Sequence, residues 1–212
     1  SAMLNVLTGK VCPSGKLNET YPVHCEDNPV LHYYPSKERS SEYRESLYVG
    51  YRYYTTVDKK VRFPFGFGLS YTTFKYSDLK VDDSGVTFQI RNTGKTAGTE
   101  IAQLYIGRKS ETVFRPVREL KGFARVTLEP GEAKTVHIKF DDKTFRFYDT
   151  RTNTWEIETG DYKIMIGSDA QTMLLEDKLY VAGTVSEGGY EKEKMPEYFN
   201  GKIRAVDDDT FR

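Results

Sequence analysis

Short segments in which apolar and polar residues alternate run through residues 74–185. Residues 86–91 and 135–140 each carry an apolar side chain at every second position. This period of two is typical of a β-strand with one buried face and one face in water. The segments are separated by turn-forming sequences at 92–94, 129–132 and 159–161, which allow the chain to reverse direction. The pattern favours an antiparallel sheet structure over a helical one.

Further strands are predicted at 100–107, 119–128, 155–158 and 161–167. About seven strands in roughly 110 residues suit a sandwich of two sheets. The predicted fold class is therefore all-β, an immunoglobulin-like or fibronectin type III-like antiparallel β-sandwich. A long irregular N-terminal extension and a C-terminal linker are expected to flank it.

The composition divides the chain into four parts. Residues 1–3 are interpreted as a cloning remnant, 4–73 as an exit segment or linker from a preceding domain, 74–185 as the sandwich and 186–212 as a linker. Prolines interrupt the extension, where only a short strand is predicted, at 47–54. At the other end, Asp207 is predicted to cap a helix at 207–211, with Val206 packed against Phe211. One turn is unstable alone, so we expect that helix to continue into a further domain.

Aromatic residues are dense in the extension, at Tyr43, Tyr48, Tyr51, Tyr53 and Tyr54. Two interpretations stay open: these rings stack on sugars, or they fill an interface with another part of the protein. Many rings on extended chain would otherwise expose a large apolar patch. We therefore expect 43–54 and 63–67 to pack on the sandwich.

Several classes of function are disfavoured by charge and cysteine content. Lys plus Arg and Asp plus Glu both number 31, so the net charge of zero provides no field to attract nucleic acid or an anionic membrane. Apolar runs fall far below the roughly 20 residues of a membrane span. Cys12, His24, Cys25 and His32 lack metal-ligand spacing, so no metal site is predicted.

No catalytic constellation is visible in the residues themselves. A Gly-x-Ser-x-Gly elbow is absent, and the sequence GFGLSY at 66–71 lacks the third glycine of a dinucleotide fingerprint. Gly66 is instead predicted to form a turn that lets Phe65 and Phe67 pack where a Cβ would collide. The 31 carboxylates cannot be paired into a glycosidase site from sequence alone.

A family resemblance is carried by several specific stretches. They are LTGK at 7–10, PSGKL at 13–17, YRESLYVGYRYY at 43–54, FPFGFGLSYTTF at 63–74, NTG at 92–94, AGTE at 97–100, QLY at 103–105, ELKGF at 119–123, LEPGE at 128–132, Trp155 and GDY at 160–162. Together they resemble the C-terminal region of a glycoside hydrolase family 3 β-glucosidase. The chain departs from that pattern at Ser46, where relatives commonly have glycine, and at Cys12, where they often have asparagine.

The resemblance implies a non-catalytic structural accessory domain, with no catalytic, cofactor-binding or metal-binding residue and no cofactor. Its implied partners are the α/β sandwich and (β/α)8 barrel domains of the same chain, and an oligosaccharide or glycoside substrate for the parent enzyme. That enzyme would cleave terminal β-glucosidic or related bonds by a retaining mechanism. In the family, the nucleophile is the Asp of a Ser-Asp-Trp type motif on the barrel, whereas here the lone Trp155 follows Thr154. A carbohydrate- or partner-binding module is the alternative.

Three further expectations follow. The lone Trp155 is expected in the sandwich core, as an apolar anchor beside a turn. The helix start at 207–211 implies the family subgroup with reversed domain order, in which the barrel follows the sandwich. Two unpaired cysteines and the lack of a visible export signal indicate a cytoplasmic enzyme.

Overall fold

The fold is an antiparallel β-sandwich whose two sheets enclose the main hydrophobic core. The computed structural model describes residues 1–36, 39–185 and 189–211. One sheet has the strand order β11-β10-β5-β6 and the other β3-β4-β7, while β1-β2 and β8-β9 form separate two-stranded ribbons. The strands are β1 Tyr21–Pro22, β2 Val61–Phe63, β3 Phe74–Asp82, β4 Gly85–Asn92, β5 Gly98–Gly107, β6 Glu119–Leu128, β7 Ala133–Lys139, β8 Phe147–Asp149, β9 Thr154–Glu156, β10 Gly160–Gly167 and β11 Met173–Val181.

The helices in the described residues are short and lie outside the sandwich. They are α1 Ala2–Leu7, α2 Tyr51–Thr56, α3 Pro196–Asn200 and α4 Asp208–Phe211, with 3₁₀ turns at Cys25–Asp27 and Ile203–Ala205. The predicted all-β class is confirmed.

Alternation along the strands places the core as the sequence predicts. On β4, Val86, Phe88 and Ile90 are at most 1% exposed, whereas the intervening side chains are less buried or exposed. On β7, Val136 and Ile138 likewise point into the core. The sequence pattern did not single out β3 and β11 as individual strands. The pairing register of β3 shifts between Ser77 and Lys80, and β11 carries the exposed apolar side chains of Leu174 and Tyr180, so neither strand keeps a clear period of two.

The N-terminal extension covers the outer face of the four-stranded sheet. Tyr105 on β5 is fully buried there, with the ring of Tyr51 5.9 Å away and that of Phe65 5.0 Å from Tyr51. Gly66 has φ +81°, and a Cβ at this position would lie 2.3 Å from Oε1 of Gln103. The predicted close approach at this glycine is confirmed, and β5 is consequently buried on both faces.

A second hydrophobic cluster, which we call the clasp, joins two distant parts of the chain. It contains Tyr48, Tyr53, Tyr54, Val61, Tyr198, Ile203 and Val206. The hydroxyl of Tyr48 donates a hydrogen bond to the carbonyl oxygen of Tyr198, 150 residues along the chain. The linker-like composition of 186–212 gave no sign that this segment packs so closely.

Local structure in the clasp corrects one prediction and confirms another. The strand expected at 47–54 is wrong: helix α2 lies there, because burial of Tyr53 and Tyr54 outweighs the strand preference of tyrosine. The helical turn expected near the C-terminal end is present as α4, and the amide of Thr210 donates to Oδ1 of Asp207 at 2.8 Å.

Candidate functional site

The β8–β9 hairpin carries the most exposed aromatic pair of the sandwich. Trp155 lies opposite Tyr148 and is 56% exposed, so its expected burial in the core is wrong. The reason is topological: β9 pairs only with β8, outside both large sheets, and its alternation directs no side chain between them. The Trp155 ring instead meets the edge of Tyr148 at 5.3 Å and lies 4.4 Å beneath the guanidinium of Arg146.

A cleft of about 390 Å³ opens beside this hairpin, and we call it the hairpin cleft. Its lining comes from the hairpin, from α2, from β6 and from the loop between β5 and β6. Charged lining residues are Arg52, Arg115, Glu119, Lys121, Lys143 and Arg146, and aromatic ones are Phe114, Phe147, Tyr148, Trp155 and Tyr190. Five cations therefore face one carboxylate in a chain whose net charge is zero.

The single carboxylate in the hairpin cleft is shared between two cations. Glu119 lies 3.4 Å from Arg52 and 3.6 Å from Lys121. Burial lowers the pKa of Lys121, because removal from water disfavours the charged ammonium group. Among the described residues, no carboxylate lies within ion-pair distance of Lys143 Nζ. The floor of the cleft is thus an under-neutralised positive region.

A larger cleft of about 750 Å³ adjoins the hairpin cleft and shares Val113, Phe114 and Arg115 with it. Three of its lining residues contact Glu158, which is 6% exposed: Arg115 at 2.9 Å and Arg108 at 3.6 Å pair with it, and Ser110 donates a hydrogen bond to it. These contacts tie the β5–β6 loop to the start of β10. Lys192 lowers the pKa of Glu111, which is the opposite of what a general acid requires.

The hairpin cleft lacks the opposed carboxylates of a glycosidase, and the larger cleft is lined by Asp161 and by Glu111, which is paired with Lys192. Retaining enzymes place a nucleophile and an acid about 5 Å apart across the sugar, whereas the hairpin cleft has Glu119 alone. Within 1–36, 39–185 and 189–211, no group of three or more His, Cys, Asp or Glu residues is arranged to hold a metal ion. Cys12 and Cys25 are free thiols.

The tyrosines of the extension are now placed. Tyr48, Tyr53 and Tyr54 are buried in the clasp, Tyr51 packs on β5, and Tyr43 is 75% exposed. They form an internal interface and present no row of rings to a sugar. The sequence had given no hint of the cleft's cations. They come from α2, from the loop between β5 and β6, from β6 and from the connection between β7 and β8, which no local sequence pattern brings together.

Comparison with known proteins shows which proteins the chain is similar to. Residues 100–170 match the fibronectin type III-like domain. The chain is 46% identical over 191 residues to a probable β-glucosidase K of Emericella nidulans, a match covering 89% of this chain and 23% of that protein. It is 38% identical over 175 residues to an exo-α-(1→6)-L-arabinopyranosidase of Bifidobacterium breve, covering 80% and 23%.

A solved structure shows the same architecture. The GH3 β-glucosidase of Bifidobacterium adolescentis superposes with a TM-score of 0.82 at 34% identity, covering 96% of this chain and 32% of that one. The chain thus spans about a quarter to a third of the length of these relatives. In the described part of the chain, no helix is long and apolar enough to cross a membrane.

Proposed function

Since this chain is a segment of the kind found in glycoside hydrolase family 3 β-glucosidases and carries their fibronectin type III-like domain, we propose that it is the non-catalytic structural accessory module of such an enzyme. One observation carries the proposal: the hairpin cleft holds a single carboxylate, already paired with two cations, where hydrolysis by this family needs two free ones. The parent enzyme would cleave terminal β-glucosidic or related bonds by a retaining mechanism.

The partners we propose are the α/β sandwich and (β/α)8 barrel domains of the same polypeptide, with the sandwich at 74–185 as the accessory domain. Support comes from relatives three to four times longer than this chain. The reversed domain order, with the barrel after the sandwich, belongs to the same proposal. The parent's reading frame tests it, because a Ser-Asp-Trp motif encoded upstream of this segment would contradict it.

A hydrolysis assay tests the non-catalytic role directly. The purified chain is expected to release no aryl alcohol from aryl β-glucosides above a no-protein blank. Its folding is checked in parallel by circular dichroism. Turnover that persists through repurification and scales with chain concentration would overturn the proposal.

A second candidate function is a carbohydrate- or partner-binding module. The exposure of Trp155 favours it, since a binding module needs an exposed aromatic surface.

The proposal also places the parent enzyme in the cytoplasm, in keeping with the free thiols of Cys12 and Cys25. Cell fractionation followed by thiol labelling tests that location, and recovery of the parent outside the cell would contradict it.

A further inference from the structure

The hairpin cleft has more positive charge than the surrounding protein neutralises. Arg115 is paired with Glu158 and Arg146 with Asp142, while Arg52 and Lys121 share Glu119. Lys143 has no carboxylate within ion-pair distance among the described residues. Nε of Arg52 and Nε of Arg115 are both buried and lack a hydrogen-bond partner among the described residues. These unpaired donors add positive charge that the protein leaves uncompensated, and an incoming carboxylate would compensate it through the more accessible Arg52 and Lys143 side chains.

The side chains around this charge are those of a protein–protein contact. Trp, Tyr and Arg dominate the energetics of such contacts, and the exposed Trp155 and Tyr148 pack with the half-buried Arg146 in the lining of the cleft. A neutral sugar carries no charge to match the lysines. A stacked sugar also needs free aromatic faces, and the guanidinium of Arg146 already covers one face of Trp155.

We propose that the hairpin cleft docks an acidic polypeptide segment of a neighbouring domain, with a carboxylate between Lys121 and Lys143 and an apolar side chain against Trp155. This inference rests on the accessory role proposed above, because that role requires a surface in contact with another domain. Complementary charge would fix the register of the two domains and suppress incorrect arrangements. Burial lowers the pKa of Lys121 although Glu119 lies 3.6 Å away, and a second carboxylate beside it would favour the charged ammonium group.

Trp155 is the only tryptophan of the chain, so its emission reports on this cleft alone. The probe is the blocked peptide acetyl-(Glu-Leu)3-amide, titrated into the chain at fixed ionic strength. Its matched control is the same peptide with glutamine in place of glutamate. We expect a saturable change in Trp155 emission with the acidic peptide and at least tenfold weaker binding of the neutral one.

Variants then assign the binding to the cleft. Lys143→Gln changes an exposed side chain and is expected to weaken peptide binding at least threefold, and Lys121→Gln at least tenfold. Lys80→Gln, on the exposed face of β3, is the matched control and should leave binding within twofold. Thermal melting of each variant checks its fold, and Lys143→Gln alone suffices if Lys121→Gln is unstable.

Several outcomes would overturn this inference. They are equal responses to both peptides, equal losses in Lys80→Gln and Lys143→Gln, or no response of Trp155 to the acidic peptide at millimolar concentration. Saturation by an oligoglucuronate without a response to peptide would assign the cleft to acidic glycans, and saturation by a cello-oligosaccharide to neutral ones. None of these results changes the hydrolysis assay, so failure here is distinguishable from failure of the accessory role.

Discussion

The sandwich core and the clasp are both closely packed, yet they are built in opposite ways. The core consists mainly of antiparallel strands whose side chains point alternately into and away from it, so the sequence of each strand indicates its buried face. The clasp is made of tyrosines and short helices from two segments that lie about 150 residues apart. Hydrogen bonds between neighbouring strands hold the core together by themselves. The clasp has no such strand pairing, so it depends on the sandwich to bring its two segments together.

The largest expected effect breaks both regions at once. Phe88 is 1% exposed between the sheets. Phe88→Ala should lower the free energy of unfolding by about 3–5 kcal/mol, because it leaves a cavity in the core. Urea denaturation followed by circular dichroism measures this. Phe123→Ala, at a side chain 68% exposed, should stay within about 0.5 kcal/mol. Similar losses in both variants would contradict the assigned core.

A second substitution tests how firmly the extension is held on the sheet. Gly66→Ala introduces a Cβ against Gln103, whose Nε2 donates to the carbonyl oxygens of Gly66 and Ser168. The matched control is Gly131→Ala, which has a similar φ of +78° but open space around the Cβ. Both variants carry the backbone strain, so Gly66→Ala should cost about 1–3 kcal/mol more. Equal denaturation midpoints would show that the contact is loose.

A third change acts on the clasp alone. Tyr48→Phe removes the donor to the carbonyl oxygen of Tyr198 and should cost about 1–3 kcal/mol, since the acceptor stays buried. Limited proteolysis is expected to cut 195–206 sooner while the sandwich remains intact. Tyr43→Phe, at an exposed ring, is the control and should not change the cleavage rate. Simultaneous digestion of the sandwich would mean that the two regions unfold together.

Alkaline pH should also loosen the clasp. Burial raises the pKa of Tyr54 to about 12 from an ordinary value of 10, so the folded state holds this proton more tightly than the unfolded state. Its stabilising contribution is fully present below pH 10 and is lost as the pH rises from 10 to 12. Tyr54→Phe should therefore reduce the fall of the melting temperature across that range. An unchanged slope would contradict the raised pKa.

The smallest expected effect is a gain. Ser46 adopts φ +48°, the left-handed region that glycine tolerates best, at the position where the family commonly has glycine. Ser46→Gly should stabilise the protein by up to about 1 kcal/mol by relieving this strain. Ser46→Ala keeps the Cβ and should give no gain, which separates backbone strain from loss of the hydroxyl. Denaturation midpoints of the three proteins decide the matter.

The contrast between the core and the clasp also explains which parts of the fold the sequence predicts. The strand at 119–128 was located at its observed bounds because turns and alternation are local signals. The helix at Tyr51–Thr56 was missed because the contacts that favour it come from residues near 200. Trp155 was misplaced for a related reason: its hairpin leaves the sandwich, and no local pattern distinguishes a strand inside a sheet from one outside it.

The contacts of Arg44 give the clasp a mechanical meaning. Its guanidinium donates to the carbonyl oxygen of Val206 at 3.1 Å, forms an ion pair with Asp208, and lies over the rings of Tyr33 and Phe211. A force that pulls the segment before the sandwich away from the segment after it would act first on the contacts between residue 44 and residues 206–208. Because residues 44 and 206–208 lie on either side of the sandwich in sequence, these contacts would have to break before a pull on the two flanks reached the strands.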